Sequence, residues 1–220
     1  MPRFSSIFLD VDSTLCGIEG IDWLAERRGP DVAARVAEAT ERAMRGEIPL
    51  DAVYGERLML VRPGRDELAG LARAYADALA PDAVEALEFL RGEGVRLALV
   101  SGGIRQAIFP LARELGFALA DVHAVDVVLD GGGRFWSWDA GSPLATQDGK
   151  RRVVADALAA GMPRPALAVG DGSTDVAMGG ACDALAAYTG FARRDAVVRA
   201  AQHEVPSFEA LVDLIMTDPR

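Results

Sequence analysis

The hydrophobic pattern of the chain begins with one short apolar run and then changes to helical spacing. Ile7, Phe8 and Leu9 are apolar without alternation, which is typical of a strand buried on both faces. The next sixty residues carry apolar side chains at helical spacing, and glycine and proline divide them into four segments. The pattern therefore predicts four consecutive helices, at 18–28, 31–45, 50–61 and 65–79.

From residue 81 onward, short apolar runs alternate with helical segments. We predict helices at 82–91, 105–115, 150–160, 174–180 and 208–216, strands at 95–100, 166–169 and 184–187, and a hairpin of 122–129 with 134–138. Repeated strand–helix units imply a parallel sheet with helices on both faces. The expected fold class is α/β, a Rossmann-like doubly wound parallel sheet. We expect a core domain of residues 1–15 and 81–220, and a helical cap domain of residues 16–80 inserted after the first strand.

Three predicted strands end in polar or glycine-rich clusters. These clusters are Asp10-Val11-Asp12, Ser101-Gly102-Gly103 and Asp171-Gly172-Ser173-Thr174-Asp175. Ligands of open α/β sheets sit beyond the carboxyl ends of the strands, so neighbouring strands would bring the clusters into one pocket.

The aspartates of these clusters predict a metal site. Asp10 and Asp12 lie on the same face of the strand end, where two carboxylates repel each other unless a cation, a proton or a catalytic task compensates. Together with Asp171 they offer the hard oxygen ligands that Mg²⁺ prefers. Asp175, four residues later, is placed to support the metal from the second shell.

The remaining motif residues predict phosphate binding. Ser101 and the backbone amides of Gly102 and Gly103 can cradle phosphoryl oxygens, because glycine allows close approach of the backbone. Lys150 opens a predicted helix, where its ammonium can neutralise charge between a carboxylate and a phosphate. Each motif alone is also typical of a turn, a helix cap or a solvated lysine. Their order along the chain favours the functional interpretation.

Composition restricts the partners. The formal net charge is −10 with a pI of about 4.7, which argues against nucleic acid or an anionic membrane as the main partner. Two distant cysteines, no apolar stretch of membrane-spanning length and no signal peptide before the first strand predict a cytoplasmic protein. The oligomeric state is left open.

The motifs resemble those of the haloacid-dehalogenase-type phosphatases and, within them, the phosphoserine phosphatase family. The resemblance rests on Asp10-Val11-Asp12-Ser13-Thr14, Ser101-Gly102-Gly103, Lys150 and the segment 170–175, and it covers nearly the whole chain. It implies Mg²⁺-dependent hydrolysis of a small phosphomonoester through an aspartyl-phosphate. The implied reaction is O-phospho-L-serine to L-serine and phosphate, the last step of serine biosynthesis.

The resemblance also implies individual roles. Asp10 would be the nucleophile and Asp12 the general acid and base. Ser101, Gly102, Gly103 and Lys150 would hold the phosphoryl group. The metal ligands would be Asp10, the Asp12 backbone carbonyl and Asp171, supported by Asp175.

The predicted cap would select the substrate. Glu19 would bind the ammonium of the substrate and Arg57 its carboxylate, although Arg62 and Arg65 compete for the second role. Phosphoserine carries both groups on one carbon, and an arginine fork suits a carboxylate. Met44 and Leu50 would line the apolar side, and Thr174 completes the predicted substrate-binding set.

Three alternatives remain at this stage. The same chemistry would serve another small phosphomonoester, or a phosphotransferase with an alcohol acceptor such as homoserine. A receiver-type signalling module also phosphorylates a strand-end aspartate, but it has no partner like Asp12 and no helical insert. A non-catalytic phosphate or Mg²⁺ binding protein would not need the complete set of residues.

Overall fold

The computed structural model describes residues 1–44 and 50–217, which form ten α-helices, eight strands and two short 3₁₀ helices in the described ranges. The strands are β1 (Ser6–Leu9), β2 (Arg96–Ile104), β3 (Val122–Val125), β4 (Val127–Leu129), β5 (Phe135–Trp138), β6 (Ala166–Gly170), β7 (Ala184–Tyr188) and β8 (His203–Val205). The helices are α1 (Gly20–Arg27), α2 (Pro30–Met44), α3 (Leu50–Val61), α4 (Arg65–Asp77), α5 (Ala83–Gly92), α6 (Arg105–Glu114), α7 (Gly149–Ala159), α8 (Ser173–Gly179), α9 (Asp195–Ala200) and α10 (Phe208–Met216). None of the described helices has the length and apolar composition needed to cross a membrane.

Six strands form one parallel sheet in the order β3-β2-β1-β6-β7-β8, which confirms the predicted α/β class. The order reverses direction at β1, so this strand lies at the centre beside β2 and β6. Side chains of β1 alternate between two buried layers: Ile7 and Leu9 pack on one face and Phe8 on the other. Burial on both faces explains why the run that begins the sequence is continuously apolar.

The helices α1 to α4 are inserted between β1 and α5, as the hydrophobic pattern predicts. Helix α1 packs on α2, α3 and α4, while α4 also packs closely on α6 of the sheet layer. The two chain segments that enter and leave the insertion pair with each other. The amide of Gly17 donates to the Ala78 carbonyl at 2.8 Å, and the amide of Ala80 donates to that of Leu15 at 3.0 Å. The division into a core domain and a cap domain stays a prediction.

Three details differ from the expectation. Strand β2 continues through Ser101-Gly102-Gly103 to Ile104, with a shift of pairing register against β3 between Val100 and Ile104. The predicted first hairpin strand is two strands, since β3 joins the main sheet and only β4 pairs with β5. Asp126 separates the two and binds Arg105 and Gln106 of α6. Helix α9 and strand β8 were not predicted, because each is only a few residues long.

Candidate active site

The three polar clusters meet at the carboxyl edge of the sheet. In the register of the sheet, Leu9 lies between Leu99 of β2 and Val169 of β6, so the residues after each of these positions are neighbours. The amide of Asp10 donates to the Val169 carbonyl at 3.0 Å and continues the ladder to this edge. The predicted convergence of the strand ends is therefore present in the fold.

Asp10 is held by a buried ion pair. The ammonium Nζ of Lys150 lies 2.6 Å from Asp10 Oδ1 and 2.7 Å from Asp175 Oδ1, and all three side chains are almost completely buried. Burial raises the pKa of Asp10 well above its ordinary value, and the Asp175 charge adds to the rise, whereas Lys150 opposes it. Burial disfavours the ammonium, but the two carboxylates outweigh this effect and raise the pKa of Lys150. A protonated lysine thus bridges the two aspartates.

Lys150 is the single lysine of the chain, which also has 22 arginines. A lysine offers a compact point charge with three donors, whereas a guanidinium is a planar fork. The space between Asp10 and Asp175 suits the smaller group. The start of α7 at Gly149 places this ammonium at the strand ends.

Asp175 is oriented by the first turn of α8. Its Oδ2 accepts a hydrogen bond of 2.9 Å from the amide of Gly172, the N-cap of this helix. Gly170 makes the approach possible, because a Cβ at this position would collide with the Asp175 carboxylate. Strand β6 therefore ends on glycine so that the aspartate can fold back over it.

Asp10 and Asp175 also belong, together with Asp171, to a group of carboxylates that fits a metal ion. Oxygen atoms of Asp10, Asp171 and Asp175 lie within 4.8 Å of one another, and all three residues are buried. Asp171 Oδ1 accepts a hydrogen bond from the Thr14 hydroxyl at 3.2 Å, while the buried Oδ2 accepts no hydrogen bond. The guanidinium of Arg194 forms a close ion pair with that oxygen. A donor set of three buried carboxylates suits a hard divalent cation.

Asp12 has a different environment from Asp10. Its Oδ1 accepts a hydrogen bond of 2.6 Å from the hydroxyl of Tyr75, and its Oδ2 faces the amide of Gly20 at 3.4 Å. Burial and the nearby Glu19 charge raise the pKa of Asp12 to about 7, although both hydrogen bonds oppose the rise. A carboxyl group with this pKa is suited to exchange protons near neutral pH.

The predicted phosphate-binding segment lies in the bulged part of β2. Ser101 is buried, and its Oγ accepts a hydrogen bond of 2.9 Å from the amide of Gly103. The register shift against β3 begins directly before this segment, so its backbone leaves the regular ladder. Strand β1 continues into Asp10 beside it.

Glu19 lies at the start of α1, close to the aspartates. Its Oε1 accepts a hydrogen bond of 2.8 Å from the hydroxyl of Ser13 and lies 3.7 Å from Arg194 Nη2. Ser13 has a φ of 53°, a left-handed conformation that is uncommon for a residue with a side chain. The chain thus turns sharply after Asp12 and returns Glu19 toward the site.

Arg57 and Tyr54 lie one turn apart on α3 and both carry unsatisfied polar atoms. Arg57 Nη2 donates to Asp22 at 2.8 Å, but its Nε is buried without a hydrogen-bond partner in the described part of the chain. The Tyr54 hydroxyl is likewise buried and unpaired there. Burial raises the pKa of Tyr54, the Asp12 charge adds to the rise and Arg57 opposes it, so the hydroxyl is within electrostatic reach of both.

The other two candidate arginines lie elsewhere. Arg62 and Arg65 line a groove of about 740 Å³ between the turn from α3 to α4 and the hairpin of β4 and β5, together with Gly133 and Phe135. Thr174 is half-buried in the first turn of α8. The side chains of Met44 and Leu50 lie outside the described part of the structure.

This geometry agrees with a family match. Residues 7–179 match the haloacid dehalogenase-like hydrolase family, which covers the three strand-end clusters and Lys150. The chain belongs to the haloacid dehalogenase-like hydrolases. This membership confirms the resemblance seen in the sequence motifs, and it favours an enzyme over a signalling module or a passive binding protein.

Relatives of this haloacid dehalogenase-like hydrolase share most of its length. The chain is 32% identical to the chloroplastic phosphoserine phosphatase of Arabidopsis thaliana over 94% of this chain and 70% of that protein. It is 33% identical to the phosphoserine phosphatase of Rattus norvegicus over 84% of this chain and 80% of that protein. A phosphoserine phosphohydrolase-like protein from Francisella tularensis has a similar fold, with a TM-score of 0.82, 23% identity and coverage of 96% and 99%.

Several residues near the aspartates were not among the sequence candidates. Thr14 and Arg194 both contact Asp171, Tyr75 contacts Asp12, and Tyr54 lies beside Arg57 on α3. Thr14 belongs to the Asp-Val-Asp-Ser-Thr motif, which was a signal for it. The two tyrosines fit the apolar stripes of their helices, so the pattern does not separate them from core residues.

We expect Lys150→Met to destabilise the metal-free protein by about 3–5 kcal/mol at neutral pH, because two buried carboxylates would lose their cation. The pKa of Asp10 is higher in the folded protein than in the unfolded chain, so folding takes up a proton. The free energy of unfolding therefore falls as the pH rises above the pKa that Asp10 has in the unfolded chain. The loss should therefore be larger at pH 8 than at pH 5. Urea unfolding in chelator at both pH values measures it.

Lys150→Arg is the matched control, because it keeps the charge and changes only the shape of the cation. It should lose less stability than Lys150→Met at pH 8. Equal stability of Lys150→Met and the native protein at pH 8 would contradict the role assigned to this ion pair.

Proposed function

We propose that this haloacid dehalogenase-like hydrolase converts O-phospho-L-serine to L-serine and phosphate through an aspartyl-phosphate on Asp10. The observation that carries the proposal is the pair of strand-end aspartates in two different environments. Asp10 is bound by the Lys150 ammonium, while Asp12 accepts a hydrogen bond from Tyr75 and has a pKa of about 7. Two carboxyl groups with separate environments are typical of separate nucleophile and acid–base roles. The names of the relatives support the substrate.

The reaction follows in two balanced steps. Asp10 attacks phosphorus, the bond from phosphorus to the serine oxygen breaks, and that oxygen takes the proton of Asp12. Asp12, now a carboxylate, then takes a proton from water. The resulting hydroxide attacks the aspartyl-phosphate, and the Asp10 carboxylate leaves with both electrons of its bond to phosphorus.

The phosphoryl group is held by the bulge of β2 and by Lys150. Ser101, Gly102 and Gly103 follow the part of β2 that pairs with β1, so the Ser101 hydroxyl and the glycine amides would bind the phosphoryl oxygens, and Thr174 lies in the first turn of α8. The Lys150 ammonium touches Asp10 and stabilises the negative charge that gathers on the phosphoryl oxygens. Lys150 is thus both the structural counter-ion of Asp10 and part of the phosphate site.

The carboxylate cluster fits Mg²⁺. Asp10, Asp171 and the backbone carbonyl of Asp12 would hold the ion, and Asp175 would support it beside Lys150. The three buried carboxylates of Asp10, Asp171 and Asp175, whose oxygens lie within 4.8 Å of one another, are the observation that supports this set. When bound, Mg²⁺ supplies positive charge that balances the phosphoryl oxygens.

Arg57 rather than Arg62 or Arg65 reads the substrate carboxylate. Its Nε is buried and unpaired in the described residues, and it lies one turn from the unpaired hydroxyl of Tyr54. Buried donors without partners are expensive, so their presence indicates a place for a ligand. Glu19, within electrostatic reach of Asp12, receives the substrate ammonium. Met44 and Leu50 remain predicted apolar contacts.

The wider assignments follow from this reaction. The segment 16–80 acts as the cap domain over a core domain of residues 1–15 and 81–220. The physiological partner is a small phosphomonoester, with no role for nucleic acid or membrane, and the setting is serine biosynthesis in the cytoplasm.

A transferase that passes phosphate to homoserine would share the first step. A panel of phosphomonoesters with phosphate and alcohol-phosphate products measured separates the two.

Asp10→Asn should abolish turnover while the fold survives, because an amide cannot form the phosphoryl ester. Rapid acid quenching followed by peptide mass analysis should show phosphate on the peptide of Asp10 in the native protein and none in the variant. Asp156→Asn, the same change on the exposed face of α7, should keep full activity. An adduct on another residue would refute the nucleophile.

Arg57→Ala should raise the KM for phosphoserine by roughly 10- to 150-fold, the equivalent of about 1.5–3 kcal/mol for a lost charged hydrogen bond. The KM for p-nitrophenyl phosphate, which has no carboxylate, should stay nearly constant. Arg62→Ala is the matched control and should affect neither substrate. Equal losses on both substrates would show that Arg57 does not read the carboxylate.

Removal of divalent ions with EDTA should inactivate the protein reversibly, because the carboxylate cluster needs a cation to hold a phosphate anion. Added Mg²⁺ should restore activity, and isothermal titration of the chelator-treated protein should show binding that Asp171→Asn weakens. Full activity in excess chelator would show that the reaction does not need a divalent ion.

A further inference from the structure

Tyr75 is a buried polar residue to which the proposed reaction assigns no task. It lies in α4, and its side chain is among the largest that are fully buried. Its hydroxyl donates a hydrogen bond of 2.6 Å to Asp12 Oδ1, the only hydrogen bond of this hydroxyl among the described residues. Phenylalanine would fill the same apolar space, so packing alone does not account for the hydroxyl.

Two glycines, on two sides of the Tyr75 hydroxyl, leave room for it. A Cβ at Gly20, the first residue of α1, would collide with the Tyr75 oxygen. A Cβ at Gly103, in the bulge of β2, would lie 3.3 Å from the same oxygen. The hydroxyl is therefore enclosed between the insertion, the phosphate-binding bulge and Asp12.

The hydrogen bond makes the two oxygens of Asp12 unequal. Oδ1 accepts the short bond from Tyr75, whereas Oδ2 has only the long contact of 3.4 Å with the amide of Gly20. An oxygen that accepts a short hydrogen bond is the poorer place for a proton. Oδ2 is therefore the oxygen left to carry a proton, and the Tyr75 hydrogen bond restricts rotation of the carboxyl group.

We propose that Tyr75 is a positioning residue that fixes the orientation of the Asp12 carboxyl group, so that Oδ2 presents its proton to the departing oxygen of the substrate. This inference rests on the proposed function, because it requires Asp12 to be the general acid. In the step concerned, the bond from phosphorus to the leaving oxygen breaks, and that oxygen takes the Oδ2 proton while Tyr75 keeps its own.

A leaving-group comparison separates positioning from packing. The serine oxygen is a poor leaving group and needs the proton of Asp12, whereas p-nitrophenolate leaves without one. The value of kcat/KM reports the steps up to formation of the aspartyl-phosphate. Loss of orientation should therefore lower kcat/KM for phosphoserine and spare p-nitrophenyl phosphate.

The test is Tyr75→Phe, assayed by kcat/KM on phosphoserine, phenyl phosphate and p-nitrophenyl phosphate. We expect a fall of about 10- to 100-fold for phosphoserine, part of the usual contribution of a general acid. Phenyl phosphate should lose less, and p-nitrophenyl phosphate should change by less than about two-fold. Tyr188→Phe removes a hydroxyl from another buried tyrosine, on β7, and should change none of the three.

A double-mutant cycle with Asp12→Asn gives a second readout. If Tyr75 acts through Asp12, Tyr75→Phe should have almost no further effect on phosphoserine in the Asp12→Asn background. Should Tyr75→Phe fail to fold, Gly20→Ala tests the same contact, because the added methyl group displaces the Tyr75 hydroxyl. It should produce the same selective loss.

The outcomes are distinct. Equal losses on all three substrates, additive losses in the double mutant or no loss at all would each overturn the role of Tyr75. If the native protein did not hydrolyse phosphoserine, the proposed function would fail instead. The contrast between phenyl and p-nitrophenyl phosphate would then still decide whether Tyr75 positions a general acid.

Discussion

The site depends on one buried interaction, the contact of the Lys150 ammonium with Asp10 and Asp175. Removing charges from water is costly, and two carboxylates without a cation would repel each other in this environment. The lysine supplies the positive charge that makes it possible to bury two carboxylates at the end of the central strands. Lys150 is the single lysine of a chain with 22 arginines, and its compact ammonium reaches both carboxylates.

The second constraint is the burial of Asp12 against the helical insertion. Two residues of the insertion contact the residues that follow β1: Glu19 accepts a hydrogen bond from Ser13, and Tyr75 of α4 donates one to Asp12. Exclusion of water strengthens the electrostatic interactions in the site, and it also raises the pKa of Asp12. The same burial that disfavours the charge of a carboxylate therefore prepares it to act as an acid.

The site contains a strained backbone conformation and buried polar atoms without hydrogen bonds, both of which lower the stability of the fold. Ser13 adopts a left-handed backbone conformation, and Tyr54, Arg57 and Asp171 each bury a polar atom without a hydrogen bond in the described chain. Strain and unsatisfied groups concentrate at functional sites, where a ligand completes the interactions. Ser13 directly follows Asp12, Asp171 directly follows the neighbouring strand β6, and the Tyr54 hydroxyl is within electrostatic reach of Asp12, which supports this region as the place where substrate and metal bind. Arg91 of α5 also buries a nitrogen without a hydrogen bond among the described residues, outside these strand ends.

The amino-acid sequence alone determined the α/β class, the buried first strand and the position of the helical insertion, and it predicted that Asp10, Asp12, Ser101, Lys150 and Asp171 belong to one site. These follow from local patterns, since apolar periodicity specifies the elements and parallel strands bring their carboxyl ends to one edge. Short elements such as α9 and β8 were beyond this reasoning, because a few residues carry too little periodicity. Only the tertiary structure decided that Tyr75 donates to Asp12 and that Arg194 meets Asp171. These contacts join segments that are distant in the chain, and a buried tyrosine fits a helical pattern equally well whether its hydroxyl meets Asp12 or the core.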